Sequence, residues 1–311
     1  MEQPEKQKTY IGVLVYNNTN NVGDWYQTAA ALYMWWKHVN STLTFRNFLN
    51  HCMNTGRIGD HPLLWIDRDT ISTQPKPADC DRILMIMNAW WMHPLSYATE
   101  PKTYHFPPPP FITPIYVSVH IADKQLLTPA AITNFKAHEP VGCRDTDTVQ
   151  MLTDAGVSAY FSGCLTMTLN LRDERLGFSI QNDYKDTCVW VDVAANTSDK
   201  SCQHRSMMQH GEFNRSPGWI GAAVHRMYEL RFAKAVVTSR LHVWLPLLAN
   251  GGTVTLFNNK TDRAFQAEDI KDETVASHRY GGLFELHDPV KLAACKERLL
   301  ADIQTRIRAL L

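Results

Sequence analysis

The chain has 311 residues and a formal net charge of zero, with 31 Lys plus Arg against 31 Asp plus Glu. That balance argues against a nucleic-acid binder relying on bulk charge, and the length holds one large domain or two medium ones. A hydrophobic fraction of 44% supports a true core, no apolar run reaches the length of a membrane span, and the charged start MEQPEKQK lacks the apolar segment of a signal peptide.

Taken in chain order, YIGVLVY (10–16) reads as a buried strand, NNTNNVGD (17–24) as a turn-rich loop, and 24–39 as a helix. Trp25, Ala29, Leu32 and Trp36 form one apolar stripe on that helix, and Asp24 is its expected N-cap. Strand, Asn/Gly-rich loop and helix make the opening unit of an open parallel sheet. Within 40–80, TLTFRNF is strand-like between polar loops. RILMIMN (82–88) is a second buried strand, followed by the loop AWWMH and the four prolines of a rigid connector at 107–110. IYVSVHI (115–121) is a strand, 128–138 a helix, 140–145 a short strand, 146–156 a helix closed by Gly156, and 157–164 a strand.

Polar text fills 170–185, and the domain boundary is expected at 170–186, separating 1–178 from 179–311. Beyond it come strand 187–193, helix 221–233, strand 234–238, a helix from Leu241 to the glycine pair 251–252, strand 253–257, and a closing helix 289–311 that is free to pack back on the first domain. Short strands alternating with helices indicate an α/β protein. The seven cysteines, Cys52, Cys80, Cys143, Cys164, Cys188, Cys202 and Cys295, are odd in number and contain no CxxC pair, which fits a reducing compartment and hence a cytoplasmic protein. Cys143 and Cys164 read as small buried fillers, and most of the nine tryptophans as core.

Chemistry gathers where strands hand over to helices. VVTSRLHVWLPLLANGG (236–252) places Arg240 and His242 at a helix start, with Ser239 the expected N-cap and Pro246 in the first turns. Exposed N–H groups and a positive dipole end make such a start a site for an anion. The competing reading of Arg240 is a structural ion pair. Arg144 in VGCRD sits at a similar strand end, with Asp145 or Asp147 as its structural partner. The DTD at 145–147 reads as a helix cap rather than a metal motif. Gly23 permits close backbone approach to a ligand. His120, ending IYVSVHI, and His93, after AWW, stand at strand ends where a cleft is expected.

Three of these segments resemble one family, the polysaccharide pyruvyl transferases. NNVGDWYQTAA is similar to the family's N-x-G-D-x-x-x-x-x-A opening. VGCRDTDTVQMLTDAGV with FSGCLTMTL is similar to its G-x-R-D…L…G segment and the strand after it. VVTSRLHVWLPLLANGGTVTL is similar to its S-R-L-H-x-x-x-x-x-L-x-x-G-x-P-V block. The matches come in the family's order and touch both halves of the chain. Val243 stands where the family has glycine, Gly163-Cys164 where it has Gly-Asp, and 40–110 matches nothing.

The resemblance implies two Rossmann-like domains facing a cleft, arranged as in GT-B glycosyltransferases, with residues 1–178 on the acceptor side and 179–311 on the donor side. It implies phosphoenolpyruvate as donor and a sugar or lipid-linked oligosaccharide with two suitably placed hydroxyls as acceptor, yielding a pyruvate ketal in polysaccharide biosynthesis. Arg144, Arg240 and His242 are the matching catalytic positions. Asn21, Gly23, Asp24, Gln27, His120 and Ser239 are the expected substrate-binding residues. No metal or cofactor is expected, because the arginines supply the charge. A lipid-linked acceptor would bring the enzyme to the inner face of the membrane. Two alternatives stand beside this reading: a GT-B glycosyltransferase with a nucleotide-sugar donor, and a sugar-binding or scaffold protein without the chemistry.

Overall fold

A computed structural model of the chain describes residues 8–17, 19, 21–91, 105–181, 184–193, 202–207, 218–258, 263–264 and 280–311. The expected candidate His93 lies outside them. The protein is α/β, built on sheets in which parallel pairing dominates.

The first sheet holds β1 (Thr9–Val15), β2 (Arg57–Ile58), β3 (His61–Asp67), β4 (Arg82–Met87) and β6 (Ile112–Tyr116), in the order β2-β3-β1-β4-β6. All are parallel except the short β2 at the edge. The second sheet holds β10 (Cys188–Val191), β11 (Cys202–Arg205), β12 (Ala235–Thr238), β13 (Val254–Asn258) and β14 (Arg263–Ala264), in the order β11-β10-β12-β13-β14, again with one antiparallel edge strand, β14. Two small parallel pairs extend the first half. They are β5 (Trp90–Trp91) with β7 (His120–Ile121), and β8 (Val141–Cys143) with β9 (Ala159–Phe161).

β1 shows the alternation expected of a strand buried on both faces. Ile11, Val13 and Val15 enter one core cluster, while Leu14 and Tyr16 enter another. The first cluster runs unbroken from the first sheet through α1 (Val22–His38) to Val189, Val191 and Val236 of the second. That continuity explains why α1 departs from its expected single stripe. Its residues are buried almost all the way round, as befits a helix with neighbours on every side. It packs on β1, α5 (Gly218–Leu230), α6 (Leu241–Ala249) and α7 (Pro289–Leu310).

The strand expected in TLTFRNF is instead the start of a helix, α2 (Phe45–Thr55). Thr44 caps it by accepting from Asn47 N, and Phe45, Phe48, Leu49 and Cys52 fall on one buried face at helical spacing. The β-branched and aromatic residues there mimic a strand, but the cap and the period decide. The expected strand 115–121 also breaks. Ser118 takes φ +56°, and the chain resumes as β7 two residues later. Helices α3 (Pro129–Ala137) and α4 (Thr146–Asp154) fall where expected, capped by Thr128 and Asp145. α7 reaches back to the first half: Arg306 Nη1 donates to the Tyr116 carbonyl (2.9 Å), and Tyr160 Oη donates to Asp302 (2.6 Å).

Candidate active site

The carboxyl ends of β1, β8 and β12 and the starts of α1 and α6 open on one cleft. Asn21, Gly23, Asp24, Gln27, Arg144, Ser239, Arg240 and His242 all line it. Eight of the nine expected catalytic and substrate-binding residues therefore meet, although they come from stretches more than two hundred residues apart.

α1 begins at the cap Asn21, whose Oδ1 accepts from Gly23 N (3.0 Å). Asp24, expected as the cap, is instead the third residue of the helix. It accepts from Thr19 Oγ1 (2.5 Å) and Gln27 Nε2 (3.2 Å). Burial pushes its carboxyl above the ordinary carboxylate range, and the nearby charge of Arg68 and the Thr19 hydrogen bond offset this only in part. Gly23 has a specific reason to be glycine. A Cβ there would stand 3.1 Å from the His242 Cβ and 3.3 Å from its Nδ1, so the two helix starts touch through this position.

Arg144 leaves β8 and turns into the cleft almost wholly buried, its side chain 4% exposed. Its Nε lies 3.6 Å from Asp145 Oδ2, and neither Nε nor Nη2 has a hydrogen-bond partner. Asp145 is occupied elsewhere. Its Oδ1 caps α4 through Thr148 N (2.9 Å) and Thr148 Oγ1 (2.8 Å), and its Oδ2 meets His120 Nδ1 at 2.5 Å. Burial alone would raise the Asp145 carboxyl, but the His120 hydrogen bond and the charges of His120 and Arg144 hold it below the usual range. His120 is the one predicted site residue not on the cleft wall. It is 2% exposed, with the ring of Trp90, which does line the cleft, 6.2 Å away.

On the opposite wall, Arg240 rather than Ser239 occupies the N-cap position of α6 and makes no side-chain cap. Ser239 Oγ donates instead to the Asp192 carbonyl (2.6 Å), which removes it from the capping role. Arg240 Nε donates to Asp192 Oδ2 at 2.8 Å. The structural ion pair and the cleft-lining arginine are thus one and the same. A guanidinium gripped at Nε keeps its terminal nitrogens for another acceptor. His242 is the second residue of α6, and Pro246 lies in that helix's second turn.

Neither a family model nor a curated protein matches the chain. Two guanidiniums, two helix N-termini and an imidazole are thus gathered on one cleft, a combination of groups able to hold anionic groups and exchange protons. Cys143 is buried, and burial pushes its thiol well up, which suits a filler rather than a nucleophile. Among the described residues no three His, Cys, Asp or Glu side chains gather as metal ligands, and no helix is long and apolar enough to cross a membrane.

Several site residues escape the sequence reading. Trp90, Met207 and Tyr280 line the cleft, and Asp192 holds Arg240. Arg68 stands at the end of β3, its guanidinium 4.8 Å from the Tyr16 ring centre, and its Nη1 donates to the Trp90 carbonyl (3.1 Å). Asp192 carried the same signal as Arg144 and Arg240, a charged residue at the carboxyl end of a buried strand. Arg68 follows β3, in a stretch where only TLTFRNF is strand-like in the sequence.

Proposed function

We propose that the protein transfers the pyruvyl unit of phosphoenolpyruvate to two hydroxyls of a sugar, forming a pyruvate ketal. The observation that carries this is Arg144: a buried guanidinium with two nitrogens lacking partners, facing a cleft whose other wall presents Arg240 and His242. Asp145, 3.6 Å from Nε, offsets part of this buried charge but is itself bonded to Thr148 and His120, so the two unbonded nitrogens suit an anion in the cleft. Two forks on opposite walls suit a molecule that carries a carboxylate and a phosphate on one small frame.

In this chemistry His242 delivers a proton to the methylene carbon, making C2 an oxocarbenium-like centre. One sugar hydroxyl adds to C2 and returns a proton to His242; the bond from C2 to the phosphate oxygen then breaks, and the second hydroxyl adds to C2 to close the ketal, its proton leaving on the phosphate. The arginines hold the carboxylate and phosphate throughout. The likeness of three ordered motifs to pyruvyl transferases supports the same reading. So does the pairing of two five-stranded, mainly parallel sheets around one cleft, which we take as two Rossmann-like halves in a GT-B arrangement, 1–178 and 179–311. Phosphoenolpyruvate titrated calorimetrically against UDP- and GDP-sugars tests it. Binding of phosphoenolpyruvate alone is the expected result. A preference for a nucleotide sugar would make the protein a glycosyltransferase, and binding of neither would remove the donor site.

A further inference from the structure

Asp192 follows β10 with a backbone φ of +52°, in the left-handed region that a non-glycine residue occupies at a cost. Every polar group of the residue is engaged around that strained point. Its amide donates to the Arg205 carbonyl (3.1 Å), and its carbonyl accepts from Ser239 Oγ (2.6 Å). Oδ1 accepts from Ser206 Oγ (2.6 Å), while Oδ2 accepts from Met207 N (3.0 Å) and Arg240 Nε (2.8 Å). Met207 in turn accepts, through its carbonyl, from Val22 N (2.8 Å), the first residue of α1. One carboxylate, 10% exposed, thereby ties the exit of β11 and the entry to α6 to the start of α1.

We propose that Asp192 is the residue that positions Arg240 for the donor anion. Among the guanidinium nitrogens it takes Nε, which leaves the terminal pair available to another acceptor. It also keeps an arginine that is one-third exposed from spreading over its rotamers. The inference rests on the donor-site reading of Arg240 given above.

The sign of the effect separates positioning from simple charge. A carboxylate beside an anion site repels the anion, so a residue acting by charge alone would, once neutralised, tighten anion binding. A positioning residue does the reverse, because the bond that orders the arginine loses its charge assistance in asparagine and is lost altogether in glycine.

The test is calorimetric titration of phosphoenolpyruvate, and of inorganic phosphate as a smaller probe, into the parent, Asp192→Asn, Arg240→Ala and the double variant. Asparagine keeps the side-chain volume and tolerates the left-handed backbone. Asp192→Asn is expected to raise the phosphoenolpyruvate Kd about tenfold, the loss typical of one charge-assisted hydrogen bond, with Tm close to the parent. In the Arg240→Ala background it is expected to add nothing, since a positioning residue acts only through its client. Asp192→Gly relaxes the φ but lacks the carboxylate, and is expected to lose the same affinity. It carries the comparison if Asp192→Asn melts well below the parent. Tighter binding on neutralisation, or a loss fully additive with Arg240→Ala, overturns the positioning role and leaves the donor site standing. A parent that binds neither probe overturns both.

Discussion

The two walls of the cleft hold their arginines in opposite ways. Arg144 is 4% exposed, and the carboxylate beside it, Asp145, is itself locked by a helix cap and by His120. Arg240 is 33% exposed and hangs on one carboxylate at a strained turn. The first wall is desolvated and set before any ligand arrives, which makes its charge strong and its loss costly. The second is wetter and more adjustable, so its charge is better screened and its orientation matters more than its strength. A small dianion held between them would be fixed by the first and oriented by the second.

The sharpest way to break this contrast is at His242, the group proposed to move the proton. His242→Ala is expected to lower kcat by about 10²–10⁴-fold while donor affinity stays near the parent's. A raised KM at parental turnover would make His242 a binding residue only. Next comes the desolvated wall. Arg144→Met, similar in length and apolar, is expected to cost about 2–5 kcal/mol in phosphoenolpyruvate binding, as for other buried charge partners. The protein should remain folded, because Asp145 keeps its bonds to Thr148 and His120. Calorimetry and a melting curve on the same variant check both statements.

The wetter wall should yield less. Arg240→Lys keeps the charge but not the fork, and is expected to cost about 1.5–3 kcal/mol in donor binding or transition-state stabilisation, with a melting temperature near the parent's. If the Asp192 pair were instead chiefly structural, Arg240→Ala would destabilise the fold strongly and leave donor affinity intact. Equal losses at Arg144 and Arg240 would erase the difference between the walls.

The arrangement of charged residues at strand ends made most of this cleft legible in the sequence. The rule that ligands bind beyond the carboxyl ends of parallel strands marks Arg144, Arg240, His242 and Gly23 each as site candidates, and the resemblance to pyruvyl transferases implies that the two halves share one cleft. Asp192 obeyed the same rule, but a lone aspartate after a strand has too many ordinary explanations to stand out. Local propensity failed at Phe45–Thr55, where a strand-like composition hid a capped helix with a buried face. It failed again at Ser118, where a single left-handed residue splits an apolar run just before the buried His120. The full burial of α1 was illegible for another reason. Amphipathic periodicity reports one partner surface, and this helix has several.

Where the walls touch, Gly23→Ala tests how closely they must fit. An alanine gains up to about 1 kcal/mol of helix propensity there. Its Cβ, 3.1 Å from that of His242, costs about 1–3 kcal/mol of overpacking unless α6 gives way. These terms largely cancel in stability, so Tm should shift little. They do not cancel in geometry, and a His242 displaced by tenths of an ångström should lower kcat/KM about tenfold. Unchanged kinetics would mean that the helix starts need not meet.

The smallest effect is expected at Asp24, and it has a distinctive pH dependence. Its carboxyl is held above the ordinary range chiefly by burial. The folded protein therefore keeps that proton more tightly than the unfolded chain does. As pH rises from about 3.9, the unfolded carboxyl ionises first, and stability falls until the folded one has also ionised. Above that point the buried charge is a constant cost. Asp24→Asn removes the cost without changing the shape, since one amide oxygen can still accept from Thr19 or Gln27. Its Tm should lie slightly above the parent's at neutral pH, and the two melting curves should converge as pH approaches 4. Donor or acceptor use should fall, because the residue lines the cleft. A gap in Tm that stays constant across pH would show that hydrogen bonding rather than a buried charge sets the energetics of the α1 wall.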